Sequence, residues 1–165
     1  MQSEGKTAIV VLGGNPPTRA IKQYIPAHQL VIAADSGLHG AIDLGLRVNV
    51  VIGDMDSVDK AVLAAVEANG TTVTQLPRDK DSTDAELALL KAVEMGATKI
   101  VLITKGGGRL DHELGVGELL KEGLESVFAM LLGLDEAAGH GVNALLGQHV
   151  QIVLVGIAGN DIERI

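Results

Sequence analysis

Short apolar segments rich in β-branched residues alternate along the chain with segments of helical periodicity. The apolar segments are nearly continuous in apolar character, which is typical of strands buried on both faces of a parallel sheet. Strands are predicted at residues 7–12, 30–34, 48–52, 72–76, 99–104 and 150–155. Helices are predicted at residues 18–25, 38–44, 58–69, 83–95 and 113–121. The alternation predicts a Rossmann-like α/β fold: a doubly wound, mostly parallel sheet of about six strands with helices on both faces.

Local signals mark where two of these helices begin. Thr83 and Glu86 form a capping box, and Gly96 follows the end of the same helix. Ser57 is predicted to cap the helix that begins at residue 58. Residues 124–147 are too densely apolar for one buried stripe, and we interpret them as one or two extra helices that cover an edge or make a subunit contact. We expect one α/β nucleotide-binding domain over residues 1–165, with 124–147 as an atypical helical segment within it.

Composition excludes several classes of function. The 165 residues suit one well-packed domain, and the absence of cysteine excludes disulfides and thiolate metal sites. The five histidines have no paired spacing, which argues against zinc. A formal charge of −8 argues against nucleic acid, and no apolar run approaches the ~20 residues of a membrane helix. No signal peptide is recognisable, so we expect a soluble cytoplasmic protein without membrane or nucleic-acid partners.

Polar or glycine-rich residues follow five of the predicted strands. Ligands of open α/β sheets bind beyond the carboxyl ends of the strands, so these five loops are expected to share one rim. The loops contain Gly13-Gly14-Asn15, Asp35-Ser36-Gly37, Asp54-Met55-Asp56-Ser57, residues 77–84 and residues 105–109. Carboxylates beside basic side chains at such a rim suggest Mg²⁺ held against a polyphosphate. The chain is therefore interpreted as an enzyme of phosphoryl or diphosphoryl transfer.

Single residues of the rim allow structural as well as functional interpretations. If the third strand continues through Asp54 and Asp56, both side chains leave one face and repel each other unless a cation lies between them. The alternative is that Asp56 or Ser57 only caps the next helix. A helix dipole would explain Asp84, but it does not require Lys80 or Asp81.

The glycine-rich loop after the fifth strand has two interpretations as well. The backbone N–H groups of residues 106–108 could cradle phosphate, although a surface turn is the commoner meaning of three glycines. Arg109, Asp111 and His112 follow at once, which favours a functional loop. Asp35, at the end of the second strand, is interpreted either as part of the site or as a helix N-cap.

Four ordered motifs resemble those of the thiamine pyrophosphokinase family. They are Asp35-Ser36-Gly37, Gly53-Asp54-x-Asp56-Ser57, Lys80-Asp81-x-Thr83-Asp84 and Gly107-Gly108-Arg109-x-Asp111-His112. Their order and spacing are similar to the family's across roughly residues 8–122. The resemblance implies Mg²⁺-dependent transfer of diphosphate from ATP to the thiamine hydroxyl, with release of AMP.

The resemblance also implies roles for individual residues. Asp54, Asp56 and Asp81 would lie near Mg²⁺, with Asp84 in support. Asp35, Lys80, Arg109 and Asp111 would contact or orient the phosphates, and His112 would complete the catalytic shell. The motif residues Ser36, Ser57, Thr83, Gly107 and Gly108 are also assigned to nucleotide binding. Gly14, in the loop after the first strand, is assigned to the same role although it lies outside the four motifs.

Three departures from the family's pattern shape the expected function. Family members usually continue into a β-sandwich domain that supplies much of the thiamine pocket and helps form a dimer, whereas this chain stops at Ile165. Val116 stands where the family usually has Asn, and residues 124–147 have no recognised counterpart. We therefore expect nucleotide binding with slow or absent thiamine diphosphate formation. The sequence leaves open whether the chain forms a homodimer. The alternatives are a related diphosphokinase for another hydroxymethyl heterocycle, such as a pterin, and a nucleotide-binding domain that has lost turnover.

Overall fold

The computed structural model describes residues 5–13, 19–78, 84–103 and 151–155. The strands are β1 (Lys6–Val11), β2 (Leu30–Ala34), β3 (Val50–Gly53), β4 (Thr72–Gln75), β5 (Ala97–Ile103) and β6 (Gln151–Val155). The helices are a 3-10 helix (Arg19–Tyr24), α1 (Gly37–Asp43), α2 (Lys60–Ala68) and α3 (Asp84–Glu94). All six predicted strands are confirmed within two residues at each end. The predicted helix at 113–121 and the segment 124–147 lie outside the described residues, so the predicted single-domain organisation stays a prediction.

The sheet is parallel throughout and has the strand order β4-β3-β2-β1-β5-β6. The chain moves outward from β1 to β4 and then returns to the other side of β1 with β5. Val10 of β1 is paired with Ile32 of β2 on one side and with Leu102 of β5 on the other. The strand order therefore reverses between β1 and β5, which is where ligands of doubly wound sheets bind.

Helices cover both faces of the sheet, as the sequence predicted. One core cluster joins alternate strand residues, such as Ile9 and Val31, to Leu38 and Leu44 at α1 and to Ile21 of the 3-10 helix. The intervening strand residues are buried as well, but they are absent from this cluster. The helix α3 contacts β1, β2, β3 and β5, and its buried residues do not belong to the cluster either. Successive strand side chains point to opposite faces, so α3 covers the second face.

The outer strand β4 departs from the prediction that every strand is buried on both faces. Thr72 and Gln75 at its two ends are exposed. The helix α2, which precedes β4, contains no fully buried residue and packs against the core cluster through the half-buried Val62, Leu63 and Val66. An edge strand has a neighbour on one side only, which reduces its burial. No helix in the described residues is long and apolar enough to span a bilayer.

Candidate active site

The described part of the rim consists of Leu12 and Gly13 after β1, the turns that follow β2, β3 and β4, and the start of α3. Because parallel strands end at the same edge of a sheet, these turns lie side by side in the order of the strands. The loop after β5 lies outside the described residues. The described part of the candidate site is therefore its carboxylate-bearing side.

A glycine allows the start of α1 to lie directly on the end of β1. Gly37 is buried, and a Cβ atom at this position would overlap the carbonyl oxygen of Val11. The residue before it, Ser36, occupies the N-cap position of α1 but makes no side-chain capping hydrogen bond. The alternative interpretation of Asp35 as the N-cap is therefore wrong, and neither Asp35 nor Ser36 uses its side chain to cap the helix.

Asp35 combines a left-handed backbone with a buried carboxylate oxygen. Its φ is +48°, and its backbone N–H donates to the carbonyl oxygen of Ile52 at 2.9 Å. Gly53 lies against it, since a Cβ atom at Gly53 would be 3.1 Å from the Cβ atom of Asp35. The Oδ1 atom of Asp35 is buried and accepts no hydrogen bond from the described part of the chain. A buried acceptor without a partner is unusual in folded proteins and often marks a functional position.

The strand β3 ends at Gly53, so it does not continue through Asp54 and Asp56. Met55 has a φ of +65°, and the Oδ1 atom of Asp54 accepts a hydrogen bond from the backbone N–H of Asp56 at 2.9 Å. This is an Asx-type turn, in which a carboxylate replaces a backbone acceptor. The interpretation in which Asp54 and Asp56 leave the same face of a continuing strand is therefore wrong. The turn instead holds the carboxylate of Asp54 against the backbone N–H of Asp56.

The capping alternative for the same segment is also excluded. The N-cap of α2 is Asp59, whose Oδ1 atom accepts from the backbone N–H groups of Ala61 at 2.7 Å and Val62 at 3.2 Å. The prediction that Ser57 caps a helix from residue 58 is wrong, because Val58 is buried in the core cluster and the helix begins at Lys60. Asp56 and Ser57 are exposed. Their side chains are thus not required for helix capping.

Two polar side chains reach the Asp54–Asp56 turn, one from β4 and one from the turn that follows β4. The Nε2 atom of Gln75 donates to the carbonyl oxygen of Asp54 at 3.4 Å. The Nη1 atom of Arg78 lies 3.3 Å from the Oδ2 atom of Asp56. Neither contact was predicted from the sequence, because both depend on β4 being the neighbour of β3. The strand order in the sheet was the missing information.

Asp84, the remaining described site residue, is the first residue of α3, and one of its carboxylate oxygens is buried. An acidic residue in the first helical turn is favoured by the helix dipole. Its predicted supporting role at the metal site is not tested by this placement. Gly14, Lys80, Asp81, Thr83, Gly107, Gly108, Arg109, Asp111 and His112 lie outside the described residues.

The donor set of the described rim fits Mg²⁺ in chemical type. Asp54 and Asp56 offer hard carboxylate oxygens, which Mg²⁺ prefers. Among the described residues, no three His, Asp or Glu side chains form a group that could hold a metal ion without other ligands. This does not conflict with magnesium, because Mg²⁺ is usually bound by one or two carboxylates together with substrate phosphates and water. The assignment of Asp54, Asp56 and Asp81 as ligands stays a prediction.

These observations define the protein as a doubly wound α/β protein with a carboxylate-lined rim. Residues 21–128 match the family model described as "Thiamin pyrophosphokinase, catalytic domain", and this range contains all four sequence motifs. The chain is 32% identical over 124 residues to the thiamine pyrophosphokinase of Bacillus subtilis (strain 168), an alignment covering 73% of this chain and 57% of that protein. The chain therefore belongs to the thiamine pyrophosphokinase family.

Solved structures agree with this assignment. The crystal structure of the Bacillus subtilis enzyme matches with a TM-score of 0.60 and 28% identity, covering 91% of this chain and 60% of that one. The Candida albicans thiamin pyrophosphokinase matches with a TM-score of 0.57 at 12% identity, covering 93% of this chain and 59% of that one, which supports the fold alone. The present chain thus spans less than two thirds of the length of these relatives.

Proposed function

We propose that the rim carries out Mg²⁺-dependent transfer of diphosphate from ATP to the hydroxyl group of thiamine. The hydroxyl group loses its proton to solvent and its oxygen bonds to the β-phosphorus of ATP, while the bond from that phosphorus to the oxygen of the α-phosphate breaks and AMP leaves. The observation that carries the proposal is the position of Asp35, Asp54 and Asp56. In a chain of this family, these carboxylates lie at the ends of β2 and β3 and none of them caps a helix.

The Asx-type turn supports a ligand role for Asp54. Its Oδ1 atom is held by the backbone N–H of Asp56, which fixes the orientation of the carboxylate and hence of its second oxygen. Preorganised groups of this kind stabilise a charged transition state without reorganising during the reaction. Asp54 and Asp56 would hold Mg²⁺, which when bound neutralises charge on the phosphates. Asp35 would orient the phosphates from the end of β2.

The remaining roles rest on the family match. Asp81 would be a further Mg²⁺ ligand, supported by Asp84. The phosphates would be contacted by Lys80, Arg109 and Asp111, with His112 completing the shell. Gly14, Ser36, Ser57, Thr83, Gly107 and Gly108 would line the nucleotide site. These assignments make ATP the diphosphate donor and Mg²⁺ the cofactor.

The variant Asp54→Asn tests the proposal without breaking the turn. The amide oxygen of Asn can accept the same hydrogen bond from Asp56, so only the negative charge is lost. We expect the affinity for α,β-methylene-ATP in the presence of Mg²⁺, measured by titration calorimetry, to fall at least about tenfold, since even indirect partners of a metal change its affinity by 10–100-fold. Unchanged affinity would refute the assignment.

Asp59→Asn is the matched control for this experiment. It removes the same charge a few residues further along, and Asn caps a helix about as well as Asp. We expect it to leave nucleotide affinity unchanged, and a loss equal to that of Asp54→Asn would mean that the effect is not local. AMP release in the presence of thiamine or of a hydroxymethyl pterin then identifies the acceptor. Release with the pterin alone would contradict the proposed substrate.

A further inference from the structure

The ion pair between Arg78 and Asp56 has no part in the function proposed above. Its atoms are 3.3 Å apart, and the two side chains are 79% and 55% exposed. Exposed ion pairs contribute little to stability, because water solvates both charges well and the long side chains lose freedom. The contact therefore needs little energy to break. Because Asp56 is a proposed Mg²⁺ ligand, the ion pair competes with metal binding at this residue.

The charges around the pair are unbalanced. In the described parts of the turns after β2, β3 and β4, at residues 35–37, 54–59 and 76–78, Arg78 is the only Lys, Arg or His. Asp54 and Asp56 are two residues apart and both lie in the turn after β3, so this turn carries two negative charges. A cation nearby lowers the electrostatic energy of neighbouring carboxylates. The described residue that supplies this cation is Arg78.

We propose that Arg78 is an exchangeable counter-ion that couples metal binding to nucleotide binding. It pairs with Asp56, so a divalent cation that binds Asp56 must displace it. When a nucleotide is present, its phosphates give the displaced guanidinium a new partner, because a guanidinium matches phosphate oxygens with several donors. Metal bound alone is thereby disfavoured relative to metal bound with nucleotide. This inference rests on the proposed function.

The variant Arg78→Gln removes the charge and keeps a polar, shorter side chain. Removing one positive charge a few ångströms from the cation should tighten the binding of Mn²⁺ alone roughly three- to tenfold, by Coulomb's law in a nearly aqueous dielectric. Electron paramagnetic resonance of free Mn²⁺ measures this affinity. If Arg78 only stabilised the turn, Arg78→Gln would instead weaken Mn²⁺ binding, because a loosened turn binds metal more weakly.

The coupling itself is the second measurement. It is the ratio of α,β-methylene-ATP affinities with and without Mn²⁺, measured by calorimetry, and linkage makes the same factor apply to the metal. We expect this ratio to fall at least about threefold in Arg78→Gln and to fall less in Arg78→Lys, which retains the charge but not the guanidinium fork. Arg47→Gln is the matched control, since Arg47 is exposed and lies before β3, at the opposite end of the strand.

The outcomes separate this inference from the proposed function. Failure of Arg78→Gln to tighten Mn²⁺ binding overturns the inference, and this includes binding too weak to detect in both proteins. A coupling ratio equal to that of wild type, or the same change in Arg47→Gln, also overturns it. If Asp54→Asn lowers Mg²⁺–nucleotide affinity while Arg78→Gln fails these tests, only the exchange role of Arg78 is wrong. If Asp54→Asn has no effect, the proposed metal site itself is wrong.

Discussion

Replacing Asp35 by Asn should make the protein more stable. The Oδ1 atom of Asp35 is buried and accepts no hydrogen bond from the described residues. A buried polar atom left without a partner costs about 1–3 kcal/mol, and a charged group costs more. Asp35 as a whole is only half-buried, so water offsets part of this cost. Asn keeps a polar atom at this place and removes only the extra cost of the charge, so we expect it to raise the free energy of unfolding by at most about 1 kcal/mol, the low end of the range.

The backbone at this position decides which substitutions are informative. The φ of Asp35 is +48°, a left-handed conformation that Asn adopts readily and Ala does not. Asp35→Ala also removes the carboxylate. However, Ala has no polar side chain to stabilise the left-handed conformation, which then costs about 1–2 kcal/mol. The alanine variant should therefore be no more stable than wild type. The contrast between Asn and Ala separates the charge effect from the backbone effect.

Urea unfolding followed by far-ultraviolet circular dichroism measures the change, because a chain with no Trp and one Tyr gives little fluorescence signal. A gain of about 1 kcal/mol corresponds to a rise in Tm of roughly 2–4 °C for a chain of this size. Turnover with thiamine should fall in the same variant, since the lost carboxylate is proposed to orient phosphate. A variant that is less stable than wild type would refute the reasoning, because it would show that the carboxylate has a favourable partner.

Substitutions at two further positions, Asp59 and Gly37, test the local structure beside the rim. Asp59→Ala removes both capping hydrogen bonds of α2 and should lower the free energy of unfolding by about 0.5–2 kcal/mol, whereas Asp59→Asn should change it little. Urea unfolding of both variants checks this expectation. Equal losses of stability in the two variants would argue against capping. Gly37→Ala should cost about 1–3 kcal/mol, because the added methyl group overlaps the Val11 backbone. A thermal unfolding curve unchanged from wild type would show that β1 and α1 are not in contact there.

The fold could be predicted because its signals are local and repeated. The apolar runs have strand length, and the parallel, doubly wound arrangement follows from their alternation with helices. The start of α2 could not be predicted in this way, because both Ser57 and Asp59 are good N-cap residues. The choice between them is made by tertiary packing, since Met55 and Val58 are buried in the core cluster. Burial of those two side chains moves the start of the helix beyond Ser57.

The candidate site was predicted as a group of loops but not as a geometry. Strand ends place Asp35 and the Asp54–Asp56 segment on one rim, and this much follows from the sequence pattern. The left-handed backbone of Asp35 and Met55 does not follow, because non-glycine residues adopt it only where surrounding structure imposes it. The contact between Arg78 and Asp56 depends on the order of strands in the sheet, which the sequence pattern leaves open.

Two buried apolar side chains hold the Asp54–Asp56 turn in position. Met55 and Val58 are 9% and 7% exposed and belong to the core cluster, while Asp56 and Ser57 between them are exposed. The helix α2 that follows has no fully buried residue, so it contributes less to holding the turn than these two side chains. A turn anchored in this way can present Asp54 and Asp56 in a defined arrangement before any ligand binds. Such preorganisation lowers the entropic cost of binding, which is what a site for a charged ligand requires.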